Sequence, residues 1–205
     1  MTAKCYARAG SWQGSRADSR AECTALERLE PVVQRLSPAP TPQGAIFLRD
    51  EFNASADTLK VALDVMREAV AERKVIVFSG MSDSTQNDRS RYHSLGQSAA
   101  EFAGLAVFVG DRNHHSVNGA IYAGMKPEQV HGFYDLESAS EFLRSELREG
   151  DLVLLRGLMY DHMSRAYLAM LGEATCWLPS CKKKIACDVC SELKAKPLVQ
   201  INIPV

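Results

Sequence analysis

From Gly44 onward the apolar positions switch between two periods, and each switch marks an element. "GAIFLRDEF" (44–52) is a short apolar run closed by acid, which predicts a strand. In "ASADTLKVALDVMREAVAERK" (54–74), Leu59, Ala62, Leu63, Met66 and Ala69 share one helical stripe. "KVIVFSG" (74–80) is a continuous β-branched run of the kind buried on both faces of a parallel sheet. "RSRYHSLGQSAAEFA" (89–103) predicts a second amphipathic helix and "GLAVFVG" (104–110) another buried strand. A shorter helix near 114–124 precedes a fourth strand at 129–135. "ESASEFLRSELREG" (137–150) predicts a helix with Phe142, Leu143 and Leu147 inward and Gly150 as its stop. "DLVLLRG" (151–157) is the fifth strand, followed by a helical stretch to 171.

Five alternations of strand and helix predict an α/β domain: an open, mainly parallel, Rossmann-like sheet with helices on both faces. Ahead of it, 1–43 reads as a separate segment. A short helix fits 21–33, and Pro38, Pro40 and Pro42 predict a stiff linker. The α/β domain is expected over 44–172, and 173–205 forms a Cys-rich tail.

Composition narrows the function classes. A net charge of −1 argues against a broad nucleic-acid footprint or a basic membrane-binding surface. No apolar run reaches the roughly 18 residues of a membrane span, and the first twenty residues lack the apolar core of a secretory signal. The expected setting is the cytoplasm, with no nucleic-acid and no membrane partner.

Ligands of open α/β sheets sit outside the carboxyl ends of the strands. Three predicted strands end there in Gly80, Gly110 and Gly157, and Asp50, Glu51 and Asn53 fall at the same edge before a helix N-terminus. A carboxylate there can hold ribose hydroxyls and an Asn can read an amide or base edge. From the residues alone the favoured reading is simpler, that Asn53 or Ser55 caps the helix, as such residues usually do.

Four motifs in order resemble one family. Asp50-Glu51-Phe52-Asn53-Ala54-Ser55-Ala56 is followed by the helix start Thr58 to Leu63. Ser79-Gly80-Met81 leads into an acidic loop with Asp83 and Asp88, and His93-Ser94-Leu95-Gly96-Gln97-Ser98-Ala99-Ala100 follows. The strands "VFVG" and "GDLVLLRG" complete the set. This order is similar to the C-terminal domain of the Mur ligases, ATP-dependent acid–amino-acid ligases of peptidoglycan synthesis, and most to the branch that adds D-alanyl-D-alanine to the UDP-MurNAc-tripeptide. The resemblance implies nucleotide contacts from Asp50, Asn53 and His93, with Asp50 on the ribose and Asn53 near the base. It places Arg156 and Gly157 against the incoming amino acid or dipeptide, and implies no catalytic residue in this chain.

The family's strand-end Lys-Gly-Ser-Arg is Arg156-Gly157-Leu158-Met159 here, which implies a diverged member. No Gly-x-x-Gly-Lys-Thr/Ser loop occurs in the sequence, so ATP and magnesium are expected only with a partner central domain, and the chain alone is expected to be inactive. The alternative is a catalytically inert Mur-like scaffold or interaction module with a zinc knuckle.

Outside the resemblance, Cys176, Cys181, Cys187 and Cys190 follow C-x4-C-x5-C-x2-C, a spacing that suits a zinc knuckle. A Cys187–Cys190 redox pair, an iron–sulfur cluster and ordinary reduced thiols remain open beside it. Cys5 and Cys23 read as small apolar side chains. His114, His115 and His131 read as structural or solvated, and His162 as a zinc ligand only if one cysteine is not used.

Overall fold

A computed structural model describes residues 32–52, 54–82, 87–178, 181, 183 and 185–194. Cys5, Cys23, Asn53, Asp83 and most of the expected helix at 21–33 lie outside those residues. The described residues belong to one unit of the chain, Val32–Val205.

In chain order the elements are β1 (Ser37–Pro40), β2 (Ile46–Asp50), α1 (Ala56–Glu68), β3 (Arg73–Phe78), α2 (Asp88–Ala100), β4 (Leu105–Val109), α3 (Asn113–Tyr122), β5 (Val130–Phe133), α4 (Leu136–Glu146), β6 (Asp151–Arg156), α5 (Ser164–Met170) and the short α6 (Ser191–Lys194). The sheet order is β1-β2-β6-β3-β4-β5. Strands β2 to β6 are mutually parallel, and β1 runs antiparallel to β2, with Ser37 opposite Arg49 and Pro40 opposite Ile46.

Strand β1 corrects one expectation: Pro38 and Pro40 are not in a linker but in an edge strand. Proline lacks an N–H to donate, so it is tolerated where one side of the strand has no neighbour. The chain turns back through Thr41, whose amide and hydroxyl both donate to the Ala45 carbonyl at 2.9 and 3.0 Å.

The continuous apolar strands bury both faces. On β3, Ile76 and Phe78 enter one core with α1, α2 and α3, and Val75 and Val77 enter the other with α4 and α5. The period of two along each strand sorts its side chains between the cores. Helix starts are set by local caps: Ser55 accepts from the Thr58 amide, Asn87 from Ser90, and Asp135 from Ser138. No helix among the described residues is long and apolar enough to cross a membrane.

This topology prepares a crevice on each side of β6. After β2 and β3 the chain leaves toward α1 and α2 on one face, whereas after β6 it leaves toward α5 on the other. The strand ends therefore part on either side of β6, which is where open α/β sheets take ligands.

Candidate functional site

The crevice between β2 and β6 is filled by the protein itself. Asp50 ends β2 opposite Arg156, which ends β6. Their side chains form an ion pair. The Arg156 side chain is fully buried, and Nη2 donates to Thr58 Oγ1 at 2.6 Å and the Ser55 carbonyl at 3.3 Å. Burial holds the Arg156 guanidinium down to about 10, still charged at neutral pH, and Asp50 is its counter-ion. Asp50 also accepts from the Leu36 amide at 3.3 Å. The residue expected on a ribose and the residue expected on a substrate thus face each other.

A buried network beside this pair holds the Cys-rich tail. Arg49 pairs with Glu51 and, at 2.6 Å, with Asp188; Gln34 donates to Asp188 at 2.8 Å and to Ser164 at 3.0 Å. Burial raises the Glu51 carboxyl above its usual range, while Arg49 opposes that shift.

The second crevice, between β6 and β3, is open. It widens into a cavity of about 830 Å³ over the carboxyl ends of β3, β4, β5 and β6, lined by Ser79, Gly80, Tyr92, Gly110, Asp161 and Arg165 among others. The two strand ends are joined at its floor. The Ser79 amide donates to the Arg156 carbonyl at 3.2 Å, and its hydroxyl donates to Asp161 Oδ2 at 2.6 Å. The Leu158 amide donates to the same oxygen at 3.2 Å. Gly157 permits this closeness, since a Cβ there would lie 2.2 Å from Ser79 Oγ and 2.6 Å from Met163 Cγ.

Burial raises the Asp161 carboxyl above its ordinary range, and the Ser79 hydroxyl and Leu158 amide pull it partly back. Its folded pKa lies above its unfolded one, so the unfolded state ionises first and stability falls as pH rises from about 4 through the folded pKa. Ser79→Ala removes one donor to the carboxylate. We expect the Asp161 pKa to rise further and stability to fall more between acidic and neutral pH, as read by carboxyl-carbon NMR titration with urea melts. An unmoved Asp161 pKa would contradict the hydrogen bond.

The other expected site residues are scattered. His93 lies on α2 with its ring 5.7 Å from that of Tyr122, and neither it nor Asp50 lines the cavity. Asn53 lies outside the described residues. His114 and His115 sit ring to ring at 3.9 Å on α3. The residues that sequence reading missed are Ser79, Asp161 and Arg165. Ser79 had a signal, because it directly precedes a strand-end glycine. Asp161 and Arg165 were hidden in a stretch that reads as helix.

The four-thiolate zinc expectation is corrected. Among the described residues, no group of three or more His, Cys, Asp or Glu side chains is placed to hold a metal ion. Cys176, Cys181, Cys187 and Cys190 are free. Cys187 and Cys190 are buried in an apolar cluster with Leu168 and Leu193. Burial pushes the Cys187 thiol up, and its sulfur sits 3.4 Å from His162 Nδ1.

Comparison with known proteins follows the same architecture. MurF from Acinetobacter baumannii superimposes with a TM-score of 0.62 at 20% identity, over 73% of this chain and 33% of that one. MurF ligase from Thermotoga maritima, in complex with ADP, gives 0.56 at 18% over 72% and 32%. A murein peptide ligase from Psychrobacter arcticus gives 0.53 at 15% over 75% and 33%. At these identities the likeness is one of fold, and the chain spans about a third of each of these structures. No curated protein sequence matches it. The model of the Mur ligase, glutamate ligase domain family matches residues 34–158, from just before β1 to the floor of the cavity and more than half of the 205 residues. The chain belongs to that family.

Proposed function

We propose that this chain is the substrate-facing, nucleotide-closing domain of a Mur-type, ADP-forming acid–amino-acid ligase in peptidoglycan-related amide-bond formation. The observation that supports this reading is the cavity at the β6/β3 crevice, outside the carboxyl ends of the strands, where open α/β sheets take ligands. On this reading the chain does not hold ATP by itself. The chain carries no Gly-x-x-Gly-Lys-Thr/Ser loop, and Asp50 is turned onto Arg156. The phosphates and magnesium belong to a central domain, on another chain or another portion of the same protein. ATP bound there supplies an activated carboxyl, an acyl phosphate open to attack by an amine. This chain's part is to hold the amine component in the cavity, orient it, and exclude water as the domains close.

The test is ADP release with the chain combined with a central domain bearing the phosphate-binding loop, with an acid acceptor and an amino acid or dipeptide. ADP release that requires both this chain and the amine supports the reading. Release indifferent to this chain removes it. The inward-facing Asp50 favours one second reading, an interaction module without catalysis. Tight association with the central domain without ADP release selects that reading instead.

A further inference from the structure

A thiol buried in an apolar setting is ordinarily inert. Cys187 is buried, at 4% exposure, yet three features around it suit a reacting thiol. The first is a base. The Cys187 sulfur lies 3.4 Å from His162 Nδ1, and His162 Nε2 lies 3.4 Å from the Cys181 carbonyl. A carbonyl only accepts, so Nε2 carries the imidazole proton and Nδ1 turns its lone pair to the thiol. Burial lowers the His162 pKa, which keeps the ring uncharged and able to accept a proton at neutral pH.

The second is a cation. Burial pushes the Cys187 thiol up, and the Arg165 guanidinium against the same sulfur pulls the other way. Arg165 is itself buried, and its Nε has no hydrogen-bond partner among the described residues. A thiolate at Cys187 would be its counter-ion.

The third is another thiol. Cys187–Val189 forms a single 3-10 turn, and the Cys190 amide donates to the Cys187 carbonyl at 3.1 Å. Side chains three positions apart eclipse in that geometry, and both cysteines enter one cluster with Leu168 and Leu193. A turn closed by this bond keeps its end Cα atoms within about 7 Å, close to the roughly 4.4–6.8 Å that a disulfide spans. Asp188, inside the turn, is held by Arg49 at 2.6 Å and by Gln34 at 2.8 Å. Both thiols are free.

We propose that Cys187 and Cys190 form a reversible dithiol–disulfide site, with His162 as the base of Cys187 and a small organic disulfide as co-reactant. The Cys187 proton passes to His162 Nδ1, and the thiolate, facing Arg165, attacks one sulfur of the reagent. A bond forms from Cys187 to that sulfur and the reagent's S–S bond breaks. Its other half leaves as a thiol with the proton from His162. Cys190 then attacks the Cys187 sulfur, which closes the Cys187–Cys190 bond and releases the second half as a thiol with the Cys190 proton. Two cysteines are oxidised, and one disulfide is reduced to two thiols. His162 and Arg165 also line the cavity, so closing the disulfide takes an ionisable neighbour from the cavity wall.

The experiment incubates the reduced full chain with oxidised glutathione, maps its cysteines by alkylation and peptide mass spectrometry, and measures metal content on the same preparation. The expected result is a Cys187–Cys190 link that dithiothreitol opens again. The variant His162→Asn suits the left-handed φ of 55° at that position. In it the link is expected to form about a hundred-fold more slowly, the low end of what a positioned base supplies. An unlinked pair, a link through Cys176 or Cys181 instead, an unchanged rate in His162→Asn, or a metal ion held by the reduced cysteines each overturns the proposal. Where His162→Asn fails to fold, the cysteine map of the natural chain decides alone.

Discussion

Gly119→Ala is expected to destabilise the protein by about 3 kcal/mol or more, against a helix-propensity gain of about 1 kcal/mol that alanine brings in a helix interior. The sterics win because the obstacles are backbone. A Cβ on Gly119 of α3 would lie 2.0 Å from the His93 carbonyl oxygen of α2, and one on Gly96 of α2 would lie 1.9 Å from the Ser116 carbonyl oxygen of α3. The two glycines let the helices cross nearly backbone to backbone. Ser116 Oγ ties the crossing by donating to the Tyr92 carbonyl at 3.0 Å. Neither helix can yield without withdrawing Tyr92, Leu95, Ala99 or Ala120 from the shared core. Urea denaturation of Gly119→Ala beside Ser94→Ala, an exposed position on α2, provides the measurement. A Gly119→Ala protein as stable as the natural one would show that the helices do not meet this closely. The same geometry accounts for His93, whose main chain supports the crossing while its ring rests by Tyr122.

What the sequence made legible and what it hid divide by the range of the interaction. The buried strands β3, β4 and β6 are continuous apolar runs, and helices α1 and α4 carry stripes at helical spacing, so local pattern reveals them. Strand β1 was hidden because its alternate prolines carry the signature of a linker. Only the register against β2 shows them on an edge where a missing N–H costs nothing. The carboxyl edge as the place of the cavity was also legible, since it follows from strand order and strand-end glycines. The assignment of side chains at that edge was not. Asp50 and Arg156 stand 106 positions apart in sequence, and nothing local announces that each is the other's partner. The cysteines mislead for the same reason. Their spacing suits a metal, but packing against Leu168 and Leu193 gives Cys187 and Cys190 an apolar setting that the tail's own sequence does not contain.

The Asp50–Arg156 pair gives the second large effect. Asp50→Ala leaves a fully buried guanidinium with no carboxylate, and the expected loss is about 3–5 kcal/mol, the usual cost of breaking one side of a buried pair. Thr58 Oγ1 and the Ser55 carbonyl still accept from Arg156 but neutralise no charge. Removing both partners, as in Asp50→Ala with Arg156→Met, is expected to recover most of that loss, because the desolvation penalty goes with the charge. The coupling is read as a double-mutant cycle in urea, with unchanged denaturant slopes as the condition for comparing midpoints. If Asp50→Ala costs less than about 1 kcal/mol, like an ordinary exposed pair, the carboxylate is not needed inside. Asp50 would then be free for the ribose contact its position in the motif implies. If the cycle shows the full coupling, the acid that opens this family motif is committed to holding β2 against β6, and any nucleotide contact must come from elsewhere. The cavity on the other side of β6 remains open in either case, because it is bounded by Ser79 and Asp161 rather than by this pair.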